Sequence, residues 1–196
     1  MGEDYNNIFP CRECLGKSDN YINDLSFKNN ILTYTTSIAP IASNNYSVIN
    51  FKLKFSNNKF TIFNYSEEVF AVGNDDSAKI NLDNKNFNNN PFNYYEWTSD
   101  KSWLTNVNLS NTNITTINDF VYNLQNINPS ISSEVLDRII SQFPERTVAY
   151  LNLGDSYWNM GEKEKAIENY KKYISLMKSQ NKDLRKIPKQ VLEKTR

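Results

Sequence analysis

The stretch AYLNLGDSYWNMGEKEKAIENY, residues 149–170, decides how the last third of this chain folds. It predicts a helix over 147–159, a turn at Gly161 and a second helix from Glu162 to about Ser179, because apolar residues recur at helical spacing on both sides of the glycine. The same period extends upstream. Ile114, Ile117, Phe120, Val121, Leu124 and Ile127 form one stripe that Pro129 ends, and Val135, Leu136, Ile139, Ile140 and Phe143 form another that Pro144 stops. Two more antiparallel helices with a short connection follow from that spacing. Downstream, KIPKQVLEKTR (186–196) predicts a short helix with Pro188 in its first turn and Val191 and Leu192 facing inward.

The pair over 147–180 resembles a tetratricopeptide repeat, a 34-residue helix-turn-helix with large and small residues at set places. Its signature falls on Tyr150, Leu153, Gly154, Tyr157, Gly161, Ala166 and Tyr170, with Gly154 and Ala166 as the points of close approach. Two positions depart. Lys178 stands where a closing proline is usual, and Tyr173 where a small residue is, so the resemblance makes the next helix a terminal cap. A degenerate repeat precedes it at 113–146, with Pro144 at the closing place, Phe120 where a small residue is favoured and Ser132 in place of alanine. The resemblance also implies that the first helix of the good repeat lines a concave binding face, presenting Val148, Leu151, Asp155, Trp158 and Asn159 to a partner. Leu151 and Asp155 replace the lysine and asparagine of a carboxylate clamp, so capture of C-terminal carboxylates is not implied.

The front of the chain reads differently. Phe51, Leu53 and Phe55 alternate with Lys52 and Lys54, and after SNN the segment KFTIFNY (59–65) keeps a short period, which predicts a β-hairpin with a three- to four-residue loop. Further strands are expected at ILTYTT (31–36), VFAV (69–72), AKINL (78–82) and SWLTNVNL (102–109), assembled as an antiparallel sheet. An Asn-rich loop leads to Tyr94, Tyr95, Trp97 and Trp103, rings that either form a contact surface or cover a face of the sheet. Residues 8–65 loosely resemble the β-rich domain of small exported bacterial proteins that open with a C-x-x-C. That resemblance implies export; Cys11 and Cys14 form a local disulfide if the protein is exported and stay two quiet thiols if it is not.

Chemistry is easier to exclude than to assign. The chain has no histidine, which removes Ser-His-Asp and Cys-His machinery and imidazole metal sites. With two cysteines and no histidine, a four-ligand Cys/His zinc site cannot be completed within one chain. LGKS (15–18) lacks the opening glycine of a phosphate-binding loop, since Cys11 stands there. Counted from Asp75, the acidic stretch puts Ile80 where a calcium loop needs glycine and Asn86 where it needs glutamate. Glu67 and Glu68 read as solvated carboxylates with no acid/base spacing. No catalytic, cofactor-binding or metal-binding residue is assigned, and no cofactor is expected.

Charge separates two halves. Residues 1–128 hold 9 basic and 13 acidic side chains, residues 129–196 hold 13 and 9, and 28 of the 32 asparagines lie in the first part. The formal net charge is zero, so nucleic acid is not the expected partner. No apolar run is long enough to span a membrane, and the start MGEDYNN lacks a secretory pattern; export is expected only if a signal was removed, and a cytoplasmic location otherwise. The expectation is an α+β chain, with a β-rich domain over 1–110 and a tetratricopeptide-like helical domain over 113–196. Its expected role is non-catalytic protein binding, as a bacterial toxin-neutralising immunity protein or inhibitor, with an envelope adaptor or assembly factor as the alternative.

Overall fold

The computed structural model describes residues 21–38, 45–57, 59–71, 77–87, 101–125 and 128–196. It divides into two compact units, Met1–Thr116 and Ile117–Arg196. The first is built on a five-stranded antiparallel meander of β1 (Tyr21–Lys28), β2 (Ile31–Ile38), β3 (Asn45–Ser56), β4 (Lys59–Ala71) and β5 (Ser77–Asp83), paired in chain order. The second consists of helices: α1 (Ile114–Leu124, which begins at the end of the first unit), α2 (Pro129–Gln142), α3 (Thr147–Asn159), α4 (Lys163–Ser179) and α5 (Lys189–Lys194). The architecture is α+β, as the sequence predicts.

Alternation builds the sheet. On β2, Leu32, Tyr34 and Ile38 are buried while the residues between them are partly exposed, apart from the buried Thr36, and the partners of the first two, Leu53 and Phe51, continue the same face. Tyr34, Phe51 and Tyr65 form an aromatic row across three strands, with centroids 4.9 and 5.4 Å apart. Trp103 packs on the end of that row, 4.7 Å from the Tyr65 ring, and Phe87 sits 6.0 Å beyond it. Trp103 therefore covers the sheet. Tyr94, Tyr95 and Trp97 lie outside the described residues, as do Cys11, Cys14 and Ile127.

Several elements differ from the expectation. SWLTNVNL is no strand: Ser102–Asn106 is a 3-10 turn, because Trp103, Leu104 and Val107 must all reach the core and strand geometry would send neighbours to opposite faces. Val69, Phe70 and Ala71 are not a separate strand but the end of β4, which runs unbroken from Lys59 and absorbs Phe63 as a bulge between Lys52 and Leu53 of β3, while residue 72 lies outside the described residues. The β3–β4 hairpin closes on two residues, with Ser56 opposite Lys59. β1 has no counterpart in the sequence reading. It joins β2 through Asn29 and Asn30, whose φ values of 53° and 60° form the left-handed pair that two-residue hairpins require.

Glu67 overturns the solvated reading. Its neighbour Glu68 points outward to pair with Lys79 at 2.8 Å, so Glu67 faces the interior, where Lys101 Nζ lies 2.8 Å from both of its oxygens. The Tyr65 hydroxyl donates to the same carboxylate. Burial, followed by the Glu67 charge and hydrogen bond, pushes the Tyr65 hydroxyl well above its ordinary range.

In the helical unit, Asn128 caps α2 by accepting from the Ile131 amide, with Pro129 in the first turn. Small residues set the crossings. The Ser132 hydroxyl donates to the Val121 carbonyl at 2.8 Å and lies 3.0 Å from Ser156 Oγ, tying α2 to both of its neighbours. Gly161, at φ 80°, ends α3, and Asn181, at φ 52°, ends α4 in the same left-handed way. In α5, Val191 is fully buried, whereas Leu192 is 40% exposed: a six-residue helix against one neighbouring pair buries only one stripe.

Candidate protein-interaction surface

α3 and α4 form the hairpin on which the candidate surface is built. Tyr170 of α4 lies against the backbone of α3 at Gly154, and its hydroxyl donates to Asp155 Oδ1 at 2.7 Å. Lys194 of α5 approaches that hydroxyl to 3.3 Å and sits 4.0 Å from the ring centroid of Trp158. Burial raises the Asp155 carboxyl above its ordinary range, partly offset by the Tyr170 hydrogen bond and the Lys194 charge. Burial, together with Asp155, pushes the Tyr170 hydroxyl far up. These groups lock three helices together.

The five residues assigned to a concave face fall in three different settings. Asp155 and Trp158 lie against α5, so the chain's own C-terminal helix covers that half of α3. Val148, 39% exposed, and the half-buried Leu151 instead border an open cleft of about 310 Å³ with Tyr173, Met177, Lys182 and Lys186. Its floor is apolar and its rim largely basic, with Asp183 between the two lysines. Asn159 is exposed at the far end of the helix.

A second cleft, of about 580 Å³, opens on another side of α3 between Asp137, Tyr150, Tyr157, Lys165, Glu168 and Lys172. Tyr157 donates to Asp137 Oδ2 at 3.0 Å, and Lys165 stands 5.1 Å over its ring. Burial and then the Asp137 charge push the Tyr157 hydroxyl up to about 12. The sequence reading misses this cleft. Its one local signal is that Tyr150 and Tyr157, like Lys165 and Lys172, are seven residues apart and so share a helix face.

The helix pair, its glycine crossing and its left-handed turn have the form of one repeat of a helical array. Residues 148–178 match the model of the tetratricopeptide repeat family. No curated protein and no solved structure is significantly similar to the chain. The comparisons give no support to a likeness between residues 8–65 and exported β-rich domains. No helix among the described residues is long and apolar enough to cross a membrane.

Proposed function

We propose that this protein acts by binding another protein, through the open half of α3 and the cleft beside it, and performs no reaction of its own. The observation that carries this reading is the placement of Val148 and Leu151: apolar side chains on a matched tetratricopeptide repeat, bordering a cleft that α5 leaves uncovered. Repeats of this family serve protein–protein interaction. The absence of histidine supports a binding role over catalysis. Lys182 and Lys186 at the rim favour a partner segment that combines apolar and acidic side chains.

The narrower reading is that the partner is a bacterial toxin which this protein neutralises, and the alternative is an envelope adaptor. Both rest on analogy of architecture. Affinity capture from the source cells decides among them. Recovery of one stoichiometric partner, lost in a folded Val148→Asp variant, supports the reading, and the identity of that partner separates toxin from assembly component. Capture unchanged by Val148→Asp and by Leu151→Asp would remove this surface from the binding function. For location, a two-hydrogen mass loss at Cys11 and Cys14 in protein from its native source supports an oxidising compartment.

A further inference from the structure

The buried face of the sheet does not stop at β2. In the β1–β2 register Leu25 lies opposite Tyr34 and Phe27 opposite Leu32, and directly opposed residues of antiparallel strands share a face. Tyr34 is fully buried and Leu32 6% exposed, yet Leu25 and Phe27 are 52% and 58% exposed. At the other edge Ile80 and Leu82 of β5 are covered. Among the described residues the apolar face therefore runs out uncovered at β1.

The outer edge of β1 is also, among the described residues, open for pairing. Lys28 and Ile31 flank the two-residue turn and, in a hairpin of this kind, exchange both backbone bonds; the pattern then alternates along the strand. Ser26 and Asp24 consequently turn their backbone groups toward β2, and Leu25 and Phe27 turn theirs outward. Among the described residues nothing pairs with that edge. It carries no proline, and its single irregularity, between Ile22 and Asp24, leaves residues 24–28 regular.

We infer that β1 pairs with β1 of a second copy, antiparallel about Ser26, so that one sheet runs through both molecules. This register sets the outward backbone groups of Leu25 against those of Phe27 in the second copy and brings their side chains together on the apolar face. On the opposite face it sets Asp24 against Lys28, twice by symmetry. Sliding the pairing by two residues in either direction loses both charge pairs. The fit is with the chain itself, and it is independent of the helical surface.

The test is sedimentation of the full-length chain over two decades of concentration. A concentration-dependent mass approaching twice that of the chain is expected. Asp24→Lys, which sets two ammonium groups together at both ends of the pairing, and Lys28→Asp, which sets two carboxylates together, should each raise the dimer dissociation constant about tenfold. The double exchange Asp24→Lys with Lys28→Asp restores the dimer, which a loss of folding would not do. A monomer at every concentration overturns the inference. So does a dimer indifferent to the single exchanges, or one that the double exchange fails to restore.

Discussion

The ring of Tyr170 occupies the space that a side chain on residue 154 would need: a Cβ built on Gly154 would lie 2.5 Å from Cδ1 and Cε1 of that ring. The ring is fully buried, and its hydroxyl is held by Asp155, so it has no room to yield. Gly154→Ala should therefore lower stability by about 1–3 kcal/mol through overpacking, although alanine is the better helix former. A chemical denaturation midpoint unchanged from the parent would show that the α3–α4 crossing is looser than this contact.

The Lys101–Glu67 pair makes a different prediction. Removing one member leaves a charge buried in the sheet, with the Glu67 side chain wholly inaccessible to solvent. Lys101→Met should cost about 3–5 kcal/mol, whereas Lys101→Met combined with Glu67→Gln should cost distinctly less. Calorimetry of the two variants measures the difference. Equal losses would mean that shape rather than charge governs the site.

α5 should act as part of the helical core. Deleting residues 188–196 removes Val191, which is fully buried, and withdraws Lys194 from Trp158. The expected result is a loss of about 2 kcal/mol and a red shift of the Trp158 emission as water reaches the indole. A truncated chain with the parent's melting point and spectrum would contradict the packing of this helix.

Alkaline titration reads the cleft between Asp137 and Lys165. Tyr157 holds its proton more tightly folded, at about 12, than at its ordinary 10.0, chiefly through burial and then the neighbouring Asp137. A raised folded value means that the associated stability is complete below pH 10 and is lost as the pH rises toward 12. Tyr157→Phe should remove part of that alkaline loss. Thermal melts across this range check it, and identical slopes for parent and variant would show that Tyr157 does not titrate as its surroundings dictate.

Legibility in the sequence follows locality. The hairpin of α3 and α4 is readable because Gly154, Gly161, Ala166 and Tyr170 carry its geometry within a few turns of one another. β3 is readable because Phe51 and Leu53 alternate with exposed lysines. β1 is not, since its irregularity after Ile22 breaks the period of two and only Leu25 and Phe27 keep it. Trp103, Leu104 and Val107 read as a strand by composition, yet their spacing suits a helical turn. Glu67 is misread because its partner Lys101 lies 34 residues away, and no local pattern reports such a pairing. The open cleft beside Val148 depends on where residues 182–186 come to rest, which the repeat signature leaves unspecified.

The turn asparagines have a consequence for the unfolded chain. Asn29, Asn30, Asn57 and Asn181 all adopt φ values that glycine would accept without strain. With only 5 glycines among 196 residues, the protein makes these corners from a residue that wanders over fewer backbone conformations before folding. Less disorder is surrendered when each corner closes, and this counterbalances the steric strain of the left-handed geometry. The abundance of asparagine in the sheet unit thus bears on the entropy of the denatured state as much as on the native surface.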